Sequence, residues 1–533
     1  MSTETGPDVQ VLIVGMGPTG AALAGLLGQR GVRCAVLDKQ PSLYPLPRAI
    51  GMDQEVMRIA QELTVTSRLD GHVAPYRPSV YHGVDGQVIK RFDSPPPPHR
   101  LGWDPMFAFN QPAFETALRD RIAELPSVSV ELETTVAAVG QDANGVWVDL
   151  VQPDAAALRR IRGDYLVACD GGSSPVRTNL GITMTDLEFH ENWLVVDAII
   201  EDDDVLARLP QTHVQYCDPQ RPATFVNLVD RHRRWEISLE PGELPVGPVD
   251  VEDVWPWLDR WVKPGEARLW RAAAYLFHGL VADEWRRGRI LLAGDAVHMT
   301  PPFSAQGMAA GMRDVQNLAW KLNSVLDGGA PETLLDTYQL ERRPHVITTT
   351  QYTISLGRVI GERDEAAARA RDAQLFAEHG GEVPVTYRTE FLPPLVDGLI
   401  ARDTPGAGQV LPQPFVQRGE AAVRLDDLVS PGFRVVVAAA AEVELNRLRT
   451  AVAPLGGSVI RIGETALAEA AAGQPGSFIE CDGVLTRWLE AVGSTIAIAR
   501  PDHYIYATAS STAEAVALLD DLVATCGRPK RGD

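Results

Sequence analysis

The sequence predicts an α/β protein in three parts: a parallel sheet with helices, an antiparallel sheet inserted into it, and a smaller α/β unit at the C-terminus. Three observations predict it. The first is a continuous apolar run, "VQVLIVG" (9–15), followed by a stretch of small residues and a second apolar run, "RCAVLDK" (33–39). Runs without alternation suit parallel strands buried on both faces. The second is a change of texture between about 186 and 275, where short strand-like segments, several bearing Trp, are separated by turn residues. The third is "GRILLAGDA" (288–296), which restores the texture of the opening segment.

Taken in order, Thr19 to Gln29 reads as a helix ended by Gly31, so residues 9–39 form a β-α-β unit. Residues 109–125 have helical apolar spacing. "VSVELETTVAAVGQDANGVWVDLV" (128–151) alternates at period two around Asn144-Gly145 and predicts antiparallel strands joined by a tight turn. "DYLVACDGG" (164–172) returns to a buried strand. "WLVVDAII", "THVQYCD", "ATFVNLV" and "RWEISL" supply the inserted sheet, and residues 312–326 form a long helix. Residues 353–378 read as a helical, solvated face, "PPPP" (95–98) as a stiff surface loop, and "DTPGAGQVLPQP" (403–414) as a linker. The expected division is 1–185, 186–275, 276–402 and 403–533.

A length of 533 residues allows two or three domains. A formal charge of −21 argues against nucleic acid or an anionic membrane surface as partner, and reads most simply as solubility. The five cysteines (Cys34, Cys169, Cys217, Cys481 and Cys526) form no CxxC pair and have no His at zinc spacing. A disulfide framework and a metal site are therefore not expected, and a reducing cytoplasm is. The first ten residues do not read as a signal peptide. Val11 to Gly28 is uncharged, yet its six Gly and Pro residues suit a strand–turn–helix better than a membrane span.

Gly15-x-Gly17-x-x-Gly20 lies between the first strand and helix. Gly15 allows the tight turn, Gly17 admits a pyrophosphate against the backbone, and Gly20 lets helix and strand pack closely. The diphosphate would cap the helix N-terminus. Asp38, at the end of the second strand, is placed to accept from a ribose hydroxyl. This Rossmann-like motif alone leaves NAD and FAD both open. The second run, "LLAGDAVHMTPPFSAQGMAAGMRD" (291–314), sets Asp295 after a strand and before small residues. A carboxylate there suits a sugar hydroxyl rather than a phosphate. Two such sites far apart in the chain fit one extended dinucleotide, with a ribityl chain and a flat isoalloxazine at the second.

"GMGPTG" with Asp38, "CDGGSSPVR" (169–177) and "GDAVHMTPP" (294–302) resemble the three fingerprints of single-component FAD-dependent aromatic hydroxylases, the para-hydroxybenzoate hydroxylase class. "PRAIGMDQE" (47–55), "CDPQRP" (217–222), "GMRDVQNLAWKL" (311–322), "DTYQLERRPH" (336–345) and the extra C-terminal unit are similar to 3-(3-hydroxyphenyl)propionate hydroxylase-like enzymes. The resemblance implies a Rossmann-like FAD-binding domain, a substrate-covering antiparallel sheet and a thioredoxin-like C-terminal domain, here without a redox CxxC. It implies FAD as cofactor and NADH or NADPH as external donor. O2 would add to the reduced flavin to form a C4a-hydroperoxide, which a phenolic ring attacks. It leaves a homodimer open.

Residue by residue, the resemblance assigns Gly15, Gly17, Gly20, Asp38 and Lys39 to the adenosine end and Arg48 to the phosphates or ribose. Gln111 is assigned to the region of the ribityl chain, with Asp170, Gly171 and Arg177 beside them. Asp295 would hold the ribityl hydroxyls, Pro301 and Pro302 would lie at the flavin edge, and Gln306, Gly307, Met308 and Ala309 would offer N–H groups to the pyrimidine end. The carbonyl of Pro302 is the implied acceptor for the phenol. His298, inside that turn, and His213, on a strand, are candidate proton-handling groups with packing roles as the alternative. On "THVQYCD", Thr212, Val214 and Tyr216 share one face, and His213 and Gln215 the other. Arg234 could pair with a substrate carboxylate or with Glu236. Two departures stand out: Ala305 replaces a Gly, so a positive φ there would be costly, and Ala309 replaces an Asn. A polyketide or antibiotic tailoring oxygenase, a flavin dehydrogenase or reductase, and a non-catalytic FAD module are the alternatives.

Overall fold

The computed structural model describes residues 8–151, 158–389, 392–438, 442–463 and 476–527. Its first sheet runs in the order Arg286–Arg287, Ile290–Leu292, Arg159–Ala168, Val9–Val14, Cys34–Leu37, Val128–Glu131. The Val9 strand has parallel neighbours on both sides, Arg159–Ala168 and Cys34–Leu37. Its residues Val11, Leu12 and Ile13 are fully buried. Helices cover the faces of such a sheet, which is why these strands read as unbroken apolar runs. Ile290–Leu292 joins in parallel on the far side of Arg159–Ala168, so the second small-residue run leaves the same sheet as the first.

The reading of residues 128–151 as antiparallel strands needs one correction. Thr135–Asp142 and Gly145–Val151 form the antiparallel hairpin, whereas Val128–Glu131 is a parallel edge strand on Cys34–Leu37. The period-two pattern reports exposure on one face, which an edge strand shares with a hairpin.

The second sheet has ten strands. Met184–Ile199 and Arg268–Ala282 pair along most of their length, and His232–Ser238, Ala223–Asn227 and His213–Tyr216 follow in order. It also recruits strands from outside 186–275. Ser79–His82 adds in parallel to His213–Tyr216, Val88–Asp93 follows it, and Val385–Tyr387 closes that edge. These short strands carry too few residues for their periodicity to be read.

The long helix begins at Gly307 and ends at Leu326, and a second runs from Asp336 to Gly361. The latter corrects the solvated-face reading for residues 353–361, since Thr353, Ile354, Leu356 and Ile360 are buried. The rest forms a separate helix, Glu365–Glu378, on which only Ala368 and Asp372 are buried, as expected of a solvated face. Residues 403–414 are not a free linker either: Leu411 and Gln413 are fully buried, and Val410 bridges to Tyr504.

The C-terminal sheet runs Ser477–Ile479, Ser458–Gly463, Arg434–Val437, Ile496–Ala499, Ile505–Ala509. Its first three strands are parallel and its last two antiparallel. Buried ion pairs dock it on the flanking helices. Arg500 binds Glu341 at 2.7 Å, Lys321 binds the same carboxylate at 2.8 Å, and Arg58 reaches Asp426 at 2.6 Å.

Candidate active site

The glycine loop is shaped by close contacts rather than by sequence preference. Gly15 has φ +99°, and a Cβ there would meet the Cys169 carbonyl oxygen at 2.3 Å. A Cβ on Gly20 would meet the Gly15 oxygen at 2.0 Å. Around Gly17 there is no atom within 4 Å of the Cβ position. Gly17 is also the N-cap of the helix Pro18–Gly28, which receives no side-chain cap, so its free N–H groups and dipole face open space. Asp38 accepts from the Met16 N–H at 2.6 Å and the Gln40 N–H at 2.8 Å, tying the loop to the second strand. Gly15, Gly17, Asp38, Lys39, Arg48, Asp170 and Gly171 line one cavity of about 530 Å³.

A second cavity, of about 360 Å³, continues from it. Gly17, Arg48, Gln111, Gly171, Asp295, Gly307 and Met308 line it. The second run of small residues is needed here: Cβ atoms on Gly294 or Gly311 would meet the Thr19 hydroxyl at 2.7 and 2.5 Å. The two loops therefore touch through Thr19. Gln111, the first residue of helix Gln111–Ala123, accepts from the N–H groups of Arg48 (2.9 Å) and Ala49 (2.5 Å) and so fixes the loop that carries Arg48. Arg177 donates to the carbonyls of Ala296 and Gly172, each at 2.8 Å. It ties together the loops at 169–177 and 294–299 and lines none of these cavities. Asp170 accepts from the Val176 N–H at 3.1 Å, its other oxygen is buried without a partner, and burial raises its carboxyl above the ordinary range.

The turn after Asp295 rests on a buried chain. His298 Nε2 is 2.8 Å from Asp314, and Arg342 donates to the same carboxylate at 3.0 Å. His298 is buried beside Trp285 and lines no cavity, so its reach to a substrate is not available and its place is structural. Pro301 is buried and Pro302 lines the third cavity. The Pro302 carbonyl accepts the Ala305 N–H at 2.9 Å, leaving one lone pair. Ala305 adopts φ +55°, ψ +35°, the left-handed conformation that its missing glycine would have taken at no cost. Gly307 and Met308 face the cavities, but Gln306 and Ala309 do not: Gln306 is buried and accepts from Arg313 at 2.9 Å, and Ala309 is fully buried within the helix.

The third cavity, of about 160 Å³, shares Arg48, Ala49, Thr300, Gly307 and Met308 with the second. Two transverse rows of the antiparallel sheet form one wall. One row is Glu236–Thr224–Gln215–Tyr81, and the next is Arg271–Asp197–Arg234–Val226–His213–Ser79. Residues two apart on a strand share a face, so alternate rows point to the cavity side together. This settles the facing of "THVQYCD": Gln215 lines the cavity, while Val214 and Tyr216 pack into a separate apolar cluster. His213 lies behind, stacked on Tyr76 at 3.9 Å and accepting from the Asn227 N–H at 3.1 Å. Burial, then Arg388, hold its imidazole well below the ordinary range, so it is neutral and no cavity-lining base.

Arg234 keeps the expected ion pair with Glu236 as its longer contact and takes Asp197 as its nearer partner. It binds Asp197 at 2.7 and 2.9 Å and donates to the carbonyls of Arg48 and Pro47, with Glu236 only at 3.8 Å. Burial raises the Glu236 carboxyl above the usual range, with Arg234 opposing it. Tyr76, Ser79, Tyr81, Thr224, Glu236 and Arg388 thus line the cavity, and of these only Glu236 entered the sequence reading, as a partner for Arg234. Register would have found Thr224; nothing local marks Arg388.

The cavities fit an extended FAD. They are continuous, Arg48 lines all three, the uncapped helix and bare Gly17 suit a diphosphate, and the orphaned Asp170 oxygen awaits a donor. An FAD-binding-domain family model matches residues 8–353, and an HcaD C-terminal-domain model matches residues 408–525. The chain is 39% identical over 526 residues to a probable NADH-specific resorcinol 4-hydroxylase of Rhodococcus jostii (strain RHA1), covering 97% of this chain and 95% of the relative. It is 31% identical over 530 residues to 3-(3-hydroxy-phenyl)propionate/3-hydroxycinnamic acid hydroxylase 2 of Burkholderia vietnamiensis (strain G4 / LMG 22486), covering 95% of each. Among solved structures, the flavin-dependent monooxygenase PieE in complex with FAD and substrate shares the fold at TM-score 0.79 and 21% identity, over 97% of this chain and 99% of that one. OxyS anhydrotetracycline hydroxylase from Streptomyces rimosus does so at 0.76 and 23%, over 98% and 100%. With the glycine loop, Asp295 and a polar-walled cavity arranged along one channel, the chain belongs to the family of FAD-dependent aromatic hydroxylases.

Proposed function

We propose that this enzyme hydroxylates a single-ring phenol, using NADH as donor and O2 as oxidant. The third cavity carries the reading: about 160 Å³ beside the flavin channel accommodates one substituted ring. The resorcinol and hydroxyphenylpropionate hydroxylases named above act on rings of that size, and the NADH-specific relative supports NADH.

Bound FAD supplies hydride acceptance and oxygen activation. The remaining work falls to the chain. Gly17 and the helix N-terminus would hold the diphosphate, Asp38 and Lys39 the adenosine end, Asp295 the ribityl chain, and Gly307 and Met308 the ring system. Glu236, buried and raised in proton affinity, accepts the proton of the substrate hydroxyl, making the ring more electron-rich. Thr224 donates to Gln215 in the same row, which fixes the amide beside it. Apolar Ile50, Phe92, Met106, Phe303 and Leu356 exclude water from the ring.

The domain plan is part of the proposal: flavin domain 1–185 and 276–402, substrate sheet centred on 186–275, and a thioredoxin-like unit from 403. The β-α-β order followed by an antiparallel hairpin and a closing helix, Thr512–Cys526, supports the last assignment. All five cysteines are free and no helix among the described residues is long and apolar enough to cross a membrane, in keeping with a cytoplasmic enzyme. The test is NADH oxidation over a panel of monocyclic phenols and polycyclic phenols, with products identified by mass. Stimulation confined to single rings is expected; stimulation by the polycyclic set alone would overturn the reading.

A further inference from the structure

The cavity holds a cation that no carboxylate among the described residues meets at ion-pair distance; Asp93, on the neighbouring strand, acts on it only at longer range. Arg388 follows the short edge strand Val385–Tyr387 and is 9% exposed. Its guanidinium donates to the Ser79 hydroxyl at 2.7 Å and makes longer contacts, both 3.5 Å, to the Met106 sulfur and the Arg77 carbonyl. Its Nε is buried without a partner. The Tyr76 ring lies 4.5 Å and the Phe92 ring 6.0 Å from its centre. Among the described residues no ion pair involves it. Arg234, on the same cavity wall, shows the ordinary solution, a buried bidentate pair with Asp197.

A guanidinium out of water is costly unless an anion and hydrogen-bond acceptors replace the lost hydration. Neutral hydroxyl, thioether and aromatic partners supply only part of that. Arg388 lines the third cavity and not the two flavin cavities, so the missing charge belongs to what enters beside the flavin rather than to FAD. Glu236 sits on a strand four places away across the sheet from Val88–Asp93, leaving the two charges on different parts of the wall.

Resting on the single-ring phenol reading, we propose that Arg388 anchors a negatively charged oxygen on the substrate ring, either a carboxylate or an ionised phenol, while Glu236 faces the hydroxyl whose proton is withdrawn. The substrate class is therefore a phenol carrying a second, acidic oxygen substituent. Arg388 then fixes which ring carbon meets the flavin, because a ring held at two points cannot rotate in its plane.

FAD-loaded wild type, Arg388→Met and Arg388→Lys are titrated with 3-methylphenol, resorcinol, 3-hydroxybenzoate and 3-(3-hydroxyphenyl)propionate. Flavin absorbance changes give Kd, and stimulated NADH oxidation is read in parallel. The proposal predicts that Arg388→Met weakens the charged ligand about thirty-fold or more, that Arg388→Lys restores part of this, and that 3-methylphenol binding and FAD content are unchanged. A loss confined to the two carboxylates identifies the carboxylate as source. A loss for resorcinol that grows as pH rises identifies the phenolate. Equal losses for all four rings, or none, overturn the anchor. If no ring stimulates NADH oxidation in wild type, the hydroxylase reading fails, while the Kd series still decides on Arg388.

Discussion

Ala305 holds a left-handed backbone (φ +55°) in the turn between Pro302 and the long helix, where an alanine costs about 1–2 kcal/mol relative to a relaxed conformation. Ala305→Gly should stabilise the protein by up to about 1 kcal/mol, the remainder being lost to glycine's greater unfolded-state freedom; an upward shift in thermal midpoint checks it. Gly15 and Gly17 separate two functions of one motif. Gly15→Ala meets a carbonyl at 2.3 Å and should impair folding, whereas a Cβ at Gly17 has no protein atom within 4 Å, so Gly17→Val should yield folded protein that elutes colourless. Glu236→Gln keeps the shape of the cavity but removes its proton acceptor, so kcat should fall about a hundred-fold and lose its pH dependence while FAD binding persists; an unchanged pH profile would reassign the base. These positions differ in how far the sequence discloses them. Gly15, Gly17, Asp38 and Asp295 line the cavities, and their residue types at fixed spacing after apolar strands made them legible. His298 looks functional in the same string, yet its side chain is spent on Asp314, and the side chain of Gln306 binds Arg313, leaving only its backbone N–H for the role expected of it.

At the scale of elements, the antiparallel sheet shows why a strand's partners matter more than its own pattern. Arg271, Asp197 and Arg234 stand side by side on three strands, and opposite charges across neighbouring strands fix register. Burial alone would raise the Asp197 carboxyl, but Arg234 and His232 hold it down at about 2. A folded value below the ordinary 3.8 means stability that is fully present above about pH 4 and lost as pH falls toward 2, worth roughly 2 kcal/mol. Asp197→Asn should therefore be less stable near neutrality, and its stability should fall less steeply than that of wild type between pH 4 and 2; parallel unfolding curves would contradict this. The apolar strands at 9–15 and 164–168 were legible because burial on both faces leaves no ambiguity. Ser79–His82, Val88–Asp93 and Val385–Tyr387 were not, since each is short and takes its place only from its neighbour. The edge strand that delivers Arg388 to the cavity comes from a segment whose sequence reads as ordinary loop.

Across the whole molecule, the C-terminal unit is fastened to the helices behind the flavin site. Arg500 binds both Glu341 and Asp502, Asn317 donates to Asp502 at 3.0 Å, and Arg313, on the helix that begins at Gly307, pairs with Asp53 and Glu55. Tyr504 reaches Glu55 at 3.3 Å. Replacing Arg500 with Met leaves Lys321 as the one cation on Glu341, beside the neutral donors Asn317 and the Leu399 N–H, and should cost about 3–5 kcal/mol, read as a lower thermal midpoint with earlier FAD release. A C-terminal unit that acts as a scaffold requires that loss; a variant of unchanged stability would dissociate the two parts. The sequence disclosed that this unit is α/β but not its docking, because Arg500–Glu341 and Arg58–Asp426 join residues that are remote in the chain. One continuous channel runs from Gly17 to Met308 and opens on the third cavity. The proposed hydroxylation of a single-ring phenol there is tested most directly by turnover of the best monocyclic phenol with NADH under isotopically labelled dioxygen. One labelled oxygen atom per hydroxylated product, formed in step with NADH consumed, is expected. Phenol-independent NADH oxidation, with peroxide formed and no labelled ring product, would contradict it.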